Sequence, residues 1–283
     1  MHEQHVTLTD GARLWVARSG HGPTPLLLCH GGPGWWDTLQ EPADLLTDHA
    51  TSWRWDQRGC GRSSHHGPYT IRRYLTDLDE LRHHTGHDTI TVLGHSWGAQ
   101  LALRYVLAYP DHAKALIYVS GNGIDPVDTW RPEHQQRRTK HLGTIPDQWT
   151  AYRRGELTGP QAREAAITEW SLDYVDPTTA HDRARALLTP WHGFDPQAKT
   201  SLQAEIENAD PAAMHAACRT LNMPVLIVDG ALDLRPRRAV DTLGATLPQA
   251  RRVTIPDAGH MPWAEKPHLF VQTIADFLAR PTG

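Results

Sequence analysis

Apolar residues along this chain fall into short runs of strand length that alternate with stretches of helical spacing. Several runs are almost continuously apolar, which is typical of strands buried on both faces of a sheet. The predicted strands are His5–Leu8, Leu14–Arg18, Pro25–Cys29, Thr51–Trp55, Thr89–Leu93, Ala115–Val119, Pro224–Val228 and Arg252–Ile255. The clearest predicted helices are Tyr74–His84, Ala99–Tyr109, Ala239–Leu247 and Leu269–Leu278. This alternation predicts an α/β fold with a mostly parallel sheet and helices on both faces.

The pattern changes between about Ile124 and Leu221. Strand-like runs disappear there, and Trp, Arg, Glu and Ala recur at helical spacing between proline and glycine breaks. The core pattern resumes at Met223. We therefore expect a helical cap inserted into the core. The predicted division is residues 1–121 as the first part of the core, 122–221 as the cap and 222–283 as the second part of the core.

Composition is typical of a soluble globular protein and narrows the classes of partner. The 283 residues are 39% hydrophobic and 21% charged, which suits one large domain with an insertion. The formal net charge of -4 does not suggest the basic surface that nucleic acids or acidic membranes require. The polar N-terminal residues 1–10 do not resemble an export signal, and no apolar run is long enough to cross a bilayer. We expect a cytoplasmic protein with no nucleic-acid or membrane partner, and leave the oligomeric state open.

Cysteine and histidine usage does not favour a disulfide framework or a metal site. The three cysteines, Cys29, Cys60 and Cys218, are few and scattered, with no CxxC pair. Among the 19 histidines, His83 and His87 have metal-compatible helical spacing. Gly86 interrupts that turn, however, and no acidic or cysteine partner completes a ligand set. We predict no metal and no cofactor.

The sequence GHSWG, residues 94–98, stands where a predicted strand gives way to a predicted helix. A serine at the tip of such a tight turn adopts a strained backbone, and its neighbours two residues away must be small, as glycine is. The turn also places Ser96 at a helix N-terminus, where free N–H groups favour developing negative charge. We predict that Ser96 is a nucleophile.

A serine nucleophile needs a base to remove its proton and an acid to orient that base. Asp233 and His260 follow the predicted strands Pro224–Val228 and Arg252–Ile255, in the order serine, acid, histidine expected for this architecture. Both would project from the same edge of the sheet as Ser96. Less favoured positions for the acid are Asp229, Asp257 and Asp125.

Two glycine-rich loops follow neighbouring strands. An oxyanion hole needs two N–H donors. One is the backbone N–H of Trp97, directly after Ser96. We assign the other to Gly32, because in HGGPG, residues 30–34, the backbone can approach a substrate closely. A phosphate-binding role would require the Lys-Ser/Thr of a P-loop or a GxGxxG sequence, and neither is present. For DQRGCGRS, residues 56–63, we expect a structural role in which Arg58 and Asp56 brace the site.

Five motifs together resemble the prolyl aminopeptidase (proline iminopeptidase) family of α/β-hydrolases, which are serine peptidases. They are HGGPG, DQRGCGRS, GHSWGA, DGALD and AGHMPW, all within residues 1–121 and 222–283. The resemblance implies an α/β-hydrolase fold with a helical cap and a catalytic triad of Ser96, Asp233 and His260. It also implies an oxyanion hole at Gly32 and Trp97. Members of the family remove an N-terminal residue, often proline, and recognise the free α-amino group through cap glutamates.

The chain departs from the family in two places. One is the tight turn around Ser96, which we call the elbow, where GHSWG replaces the commoner GGSWG. The other is the cap. The candidate amine-binding carboxylates are Glu169, Glu205 and Glu207, each of which could equally be a surface-helix residue. The candidate aromatic residues for an apolar acyl pocket are Trp35, Trp36 and Trp263. His95 is expected to pack beside the elbow, and the basic cluster Arg137, Arg138 and Lys140 is interpreted as a solvated helix face.

Three functions remain open on these residues. The first is a serine hydrolase that cleaves an amide through an acyl-enzyme and releases the N-terminal residue of a small peptide or aminoacyl amide. The second keeps the triad but acts on an ester, a lactone or an acylated secondary metabolite, because the fold does not fix the substrate. The third is a ligand-binding protein on the same scaffold with negligible turnover, which the complete set of candidate catalytic residues disfavours.

Overall fold

One mixed sheet forms the centre of the protein in the computed structural model, which describes residues 1–142, 151–152 and 154–279. In these residues the strands are β1 (His2–Thr7), β2 (Arg13–Ser19), β3 (Thr24–Cys29), β4 (Ala50–Trp55), β5 (Ile90–His95), β6 (Ala113–Val119), β7 (Val225–Gly230) and β8 (Ala250–Ile255). Their order is β1-β2-β4-β3-β5-β6-β7-β8. β2 runs antiparallel to both of its neighbours, and the other pairs are parallel. The predicted mostly parallel sheet is confirmed.

The described residues also form eleven α-helices. They are α1 (Gln40–Leu45), α2 (Ile71–His84), α3 (Trp97–Ala108), α4 (Arg131–Leu142), α5 (Gly159–Ser171), α6 (Ala180–Leu187), α7 (Pro196–Glu207), α8 (Pro211–Thr220), α9 (Asp241–Thr246), α10 (Pro262–Glu265) and α11 (Pro267–Leu278). The four predicted helices correspond to α2, α3, α9 with the 3-10 turn before it, and α11. Helices α4 to α8 all lie between β6 and β7 in the chain. None of the helices in the described ranges is long and apolar enough to cross a membrane.

The core has two layers, one on each face of the sheet. Adjacent residues of β3 alternate between them, because successive side chains of a strand point to opposite faces. Leu27 belongs to the layer that contains Tyr74 of α2 and Leu101 of α3. Leu28 belongs to the other layer, with Phe270 of α11. Each such fully buried apolar side chain stabilises the fold by about 2 kcal/mol.

The parallel strands β3, β5, β6, β7 and β8 bring their carboxyl ends to one edge of the sheet. The loops after four of them carry Gly32, Ser96, Asp233 and His260. Residues far apart in the sequence therefore meet above this edge, where ligands of open α/β sheets bind.

Candidate active site

Ser96 stands at the tip of a sharp turn between β5 and α3. Its φ of 57° and ψ of -118° are strained for a residue with a side chain. The turn is tight because two glycines leave room for it. A Cβ at Gly94 would stand 2.1 Å from the carbonyl oxygen of Gly98, and a Cβ at Gly98 would stand 1.9 Å from that of Cys29. The Ser96 hydroxyl is thereby held above the sheet edge, half-exposed.

Gly98→Ala is expected to destabilise the protein by about 3 kcal/mol, because β3 and α3 must separate to admit the methyl group. Gly244→Ala is the control, since a Cβ there would have its nearest contact at 3.8 Å and α9 would gain helix propensity. Urea unfolding of both variants measures the difference. A Gly98→Ala protein as stable as the wild type would contradict this account of the elbow.

A buried hydrogen bond joins the predicted acid to the predicted base. His260 Nδ1 lies 2.6 Å from Asp233 Oδ2, and both residues are almost fully buried. The carboxylate accepts, so Nδ1 carries the proton and Nε2 is the ring nitrogen left for another partner. The His260 backbone N–H donates to the Asp173 carbonyl oxygen at 2.9 Å, which fixes the loop after β8 against the segment after α5.

Arg235 supports this pair from the other side of the carboxylate. Its backbone N–H donates to Asp233 Oδ1 at 2.9 Å, and its guanidinium bridges Asp233 at 3.3 Å and Asp173 at 2.8 Å. Burial would raise the pKa of Asp233, but the charges of His260 and Arg235 and their hydrogen bonds outweigh it and hold the pKa well below its usual range. Asp233 is therefore ionised at neutral pH.

Ser96 and His260 line the same cavity, which we call the inner cavity. It measures about 110 Å³ and is also lined by Gly31, Gly32 and Trp35. In the described part of the chain no hydrogen bond joins the Ser96 hydroxyl to His260. Catalytic hydrogen bonds are often long in unliganded enzymes and tighten when substrate binds.

The predicted oxyanion loop lies directly beside Ser96. A Cβ at Gly31 would stand 3.5 Å from Ser96 Cβ, and Gly32 has a φ of +139°. Gly32, Ser96 and Trp97 line a second space of about 230 Å³, which we call the middle cavity. Among the hydrogen bonds of residues 1–142, 151–152 and 154–279, none uses the backbone N–H of Gly32 or Trp97. Both donors are thus available to an oxyanion.

Gln57 couples the loops around this site. Its side-chain amide donates to the His30 carbonyl oxygen at 2.9 Å and accepts from Trp97 Nε1 at 2.9 Å. Asp56, in the same loop, accepts from the Asp37 N–H and from Arg62. Arg58 forms a buried ion pair with Asp77 of α2.

His95 packs against His260 and is not a second base. Its Nε2 lies 3.0 Å from the His260 carbonyl oxygen, and the two ring centroids are 4.6 Å apart. Burial and the neighbouring His260 hold the pKa of His95 well below its usual range. A neutral His95 thus supports the loop that carries His260.

The other acids considered from the sequence are engaged away from His260. Asp229 pairs with Arg252 at 2.6 Å. Asp257 is exposed and lies 3.5 Å from Lys266. Asp125 contacts Thr242 at 2.6 Å and His215 at 3.3 Å.

Three side chains of the helices between β6 and β7 line both the inner and the middle cavity. They are His134 and Arg138 of α4 and Glu169 of α5. Arg138 pairs with Glu169 at 3.0 Å and its side chain is only 13% exposed. The interpretation of Arg138 as part of a solvated face is therefore wrong, and its four-residue spacing from His134 is the signal that sequence reasoning missed. Burial and the charges of Arg235 and Arg138 lower the pKa of His134 to about 2.

Glu205 and Glu207, the other two predicted substrate carboxylates, are not brought to these cavities. Glu205 accepts from the Ile71 N–H at 2.9 Å, so it caps the start of α2. Glu207 pairs with Arg131 at 2.6 Å. Their positions in the chain gave no sign of these partners, because the contacts span many residues.

Of the three predicted aromatic residues, one lines the cavities beside Ser96 and two do not. Trp35 lines both cavities and packs against Trp170 and Phe194, with ring centroids 4.9 and 5.4 Å apart. Trp36 lines a separate cavity with Arg54 and Arg62. Trp263 is buried against His95, 4.7 Å between centroids, and does not line the cavities beside Ser96.

Of His83 and His87, the two histidines with helical spacing, His87 packs on Trp53 with ring centroids 5.4 Å apart. In the described ranges no three His, Cys, Asp or Glu residues come together as metal ligands. The three cysteines are buried and unpaired with one another.

A family model described as alpha/beta hydrolase fold matches residues 24–267. Curated relatives include the proline iminopeptidase of Clostridioides difficile (strain 630), 25% identical over 93% of this chain and 92% of the relative. The proline iminopeptidase of Lactobacillus delbrueckii subsp. bulgaricus is 29% identical over 90% and 89%.

Solved structures show the same fold with different activities in their names. A proline iminopeptidase from Mycobacterium smegmatis has a TM-score of 0.68 at 20% identity, covering 98% of this chain and 97% of that one. An esterase from Thermogutta terrifontis has a TM-score of 0.73 at 22% identity, covering 98% of each. At these identities the likeness establishes the fold and leaves the substrate open.

Proposed function

This chain belongs to the α/β-hydrolase family, and from that premise we propose that it is a serine hydrolase that cleaves amides through an acyl-enzyme. We further propose that it releases the N-terminal residue of a short peptide or aminoacyl amide. The proposed catalytic residues are Ser96, His260 and Asp233, and residues 122–221 serve as the cap. The observation that carries the proposal is the 2.6 Å bond between buried Asp233 and His260, with His260 and Ser96 lining one cavity.

The chemistry follows from the two nitrogens of His260. With Nδ1–H held by Asp233, Nε2 accepts the Ser96 proton as the hydroxyl oxygen attacks the substrate carbonyl carbon. The Gly32 and Trp97 N–H groups stabilise the oxyanion. His260 then gives the proton to the leaving amine as the C–N bond breaks. Water, with His260 as base, hydrolyses the acyl-enzyme and frees Ser96.

The N-terminal specificity has two supports. Relatives covering about nine-tenths of the chain are named proline iminopeptidases. Glu169 also brings a carboxylate to the inner cavity, whose volume of about 110 Å³ suits one small residue. A carboxylate hydrogen-bonded to a substrate ammonium in such a site favours free over blocked amino termini.

Glu169→Gln is expected to lower the preference for a free amino terminus by about tenfold, which is the loss of one charge-assisted hydrogen bond. The preference is the ratio of kcat/KM on proline or alanine arylamide to that on the N-acetyl derivative. Glu205→Gln is the matched control, because its carboxylate caps α2 and should not alter the ratio. An equal loss of this preference in both variants would show that Glu169 does not recognise the substrate amine.

A second candidate function is hydrolysis of an ester or lactone by the same residues. The pairing of Arg138 with Glu169 favours it, because the guanidinium already neutralises the carboxylate that an amine would need. The wild-type ratio of free to acetylated substrates separates the two candidates. A ratio near one, with efficient hydrolysis of neutral aryl esters, would reject the aminopeptidase and support the esterase.

A further inference from the structure

Two polar residues of helix α3 follow the turn at Ser96. Gln100 and Arg104 are four residues apart and therefore lie on one side of the helix, and Ser96 directly precedes its first residue. At a rise of about 1.5 Å per residue, the Cα atoms of Ser96 and Arg104 are about 12 Å apart along the axis. Arg104 Nη1 donates to Gln100 Oε1 at 2.7 Å and to its carbonyl oxygen at 3.2 Å, so the guanidinium leans back towards Ser96.

Two neighbouring cavities lie beside these residues. Beyond the middle cavity lies a larger one of about 450 Å³, which we call the outer cavity, and Arg104 lines it. The residues that line both the middle and outer cavities are Gln100, Val127, Trp130, Arg131, Gln135 and Ile206. The cavity lined by Ser96 and the cavity lined by Arg104 therefore adjoin at Gln100.

Arg104 has no carboxylate partner in the described part of the chain, although it is half-buried and lines a cavity. Its pKa is lowered because burial withdraws the guanidinium from water, and no carboxylate acts on it. An arginine nevertheless stays protonated at neutral pH.

The carboxylates of the outer cavity are engaged elsewhere or exposed. Asp125 contacts His215 and Thr242, Glu207 pairs with Arg131, Asp210 caps α8 and Asp128 is exposed. The charge of Arg104 is thus left for a ligand.

We infer that Arg104 binds a carboxylate at the far end of the substrate, so that the preferred substrates are short peptides with a free carboxyl terminus. The inference rests on the proposed function, in which one residue fills the inner cavity and the leaving peptide extends outwards. Two extended residues span about 7 Å. The Arg104 guanidinium leans back towards Ser96 and so lies closer to it than the Cα separation of about 12 Å. A leaving group of two or three residues therefore reaches the guanidinium, whose paired N–H donors match a carboxylate.

Calorimetric binding to a Ser96→Ala background tests this without turnover. The probes are Pro-Ala-Ala and its C-terminal amide. We expect the free acid to bind about tenfold more tightly than the amide. Adding Arg104→Met should bring the ratio of the two Kd values near one, and Arg104→Lys should retain part of it. Arg219→Met is the matched control, since Arg219 is exposed on α8 and lines neither cavity.

Several outcomes would overturn the assignment. They are equal binding of the two peptides, binding of neither, or an unchanged ratio in a folded Arg104→Met protein. Arg104→Gln, which keeps a donor for Gln100, replaces the methionine variant if that variant does not fold. Turnover of Pro-Ala-Ala by the wild type is measured separately. Tighter binding of the free-acid peptide without release of proline would reject the aminopeptidase proposal but support the Arg104 site. Release of proline with equal binding of the acid and the amide would reject the Arg104 site and leave the aminopeptidase proposal standing.

Discussion

Ser96→Ala is expected to reduce kcat for aminoacyl arylamides by about 10⁴-fold or more, because the proposed acyl-enzyme forms on the Ser96 hydroxyl. The substitution removes a half-exposed hydroxyl that makes no hydrogen bond within the described residues. The melting temperature should therefore stay close to that of the wild type. Steady-state kinetics, with a fluorophosphonate probe to detect loss of covalent labelling, measures the effect.

Ser120→Ala is a closely matched control for that experiment. Ser120 also follows a strand of the sheet, has a positive φ of 48°, and donates its backbone N–H to the next strand at 2.9 Å, as Ser96 does. Its side chain is buried and does not line the inner or middle cavity. We expect nearly wild-type activity from Ser120→Ala. Undiminished activity in Ser96→Ala would reject the proposed nucleophile and the acyl-enzyme route with it.

The sheet could be predicted because the residues of each strand carry its apolar pattern in their own sequence. A strand buried on both faces must be apolar at nearly every position, as the first four residues of β7 are. The short α1 could not be predicted, because six residues including Pro42 carry no helical period. Its burial against the sheet, visible at Ala43, depends on neighbours from distant parts of the chain.

In the candidate site, too, residues placed by local sequence could be predicted, whereas contacts between distant segments could not. Ser96 and His260 stand in loops whose local sequence prescribes their geometry, so the motifs were enough to nominate them. The partners of the carboxylates on α5 and α7 are set by packing between elements far apart in sequence. Glu169 meets Arg138 across 31 positions, whereas Glu205 caps α2 across 134. Two glutamates on helices between β6 and β7 thus have different partners, which only tertiary contacts reveal.

Asp233→Asn is expected to lower kcat by about 10³- to 10⁴-fold with little change in KM. An amide can donate to Nδ1, which would leave the proton on Nε2 and deprive Ser96 of its base. Asp229→Asn is the control, because Asp229 pairs with Arg252 and does not contact His260. A loss of activity as large in Asp229→Asn would show that charge at this sheet edge, rather than the Asp233–His260 bond, governs the rate.

The same substitution also changes the pH dependence of stability. The pKa of Asp233 is lowered on folding by His260 and Arg235. The stabilisation from its ionised form is therefore present above the unfolded value of about 3.9 and is lost as the pH falls through the lower folded value. In Asp233→Asn this contribution is absent, so the free energy of unfolding should fall less steeply below about pH 4. Identical acid unfolding profiles for both proteins would mean that the Asp233–His260–Arg235 contacts do not stabilise the carboxylate, and the orienting role of Asp233 would lose its electrostatic basis.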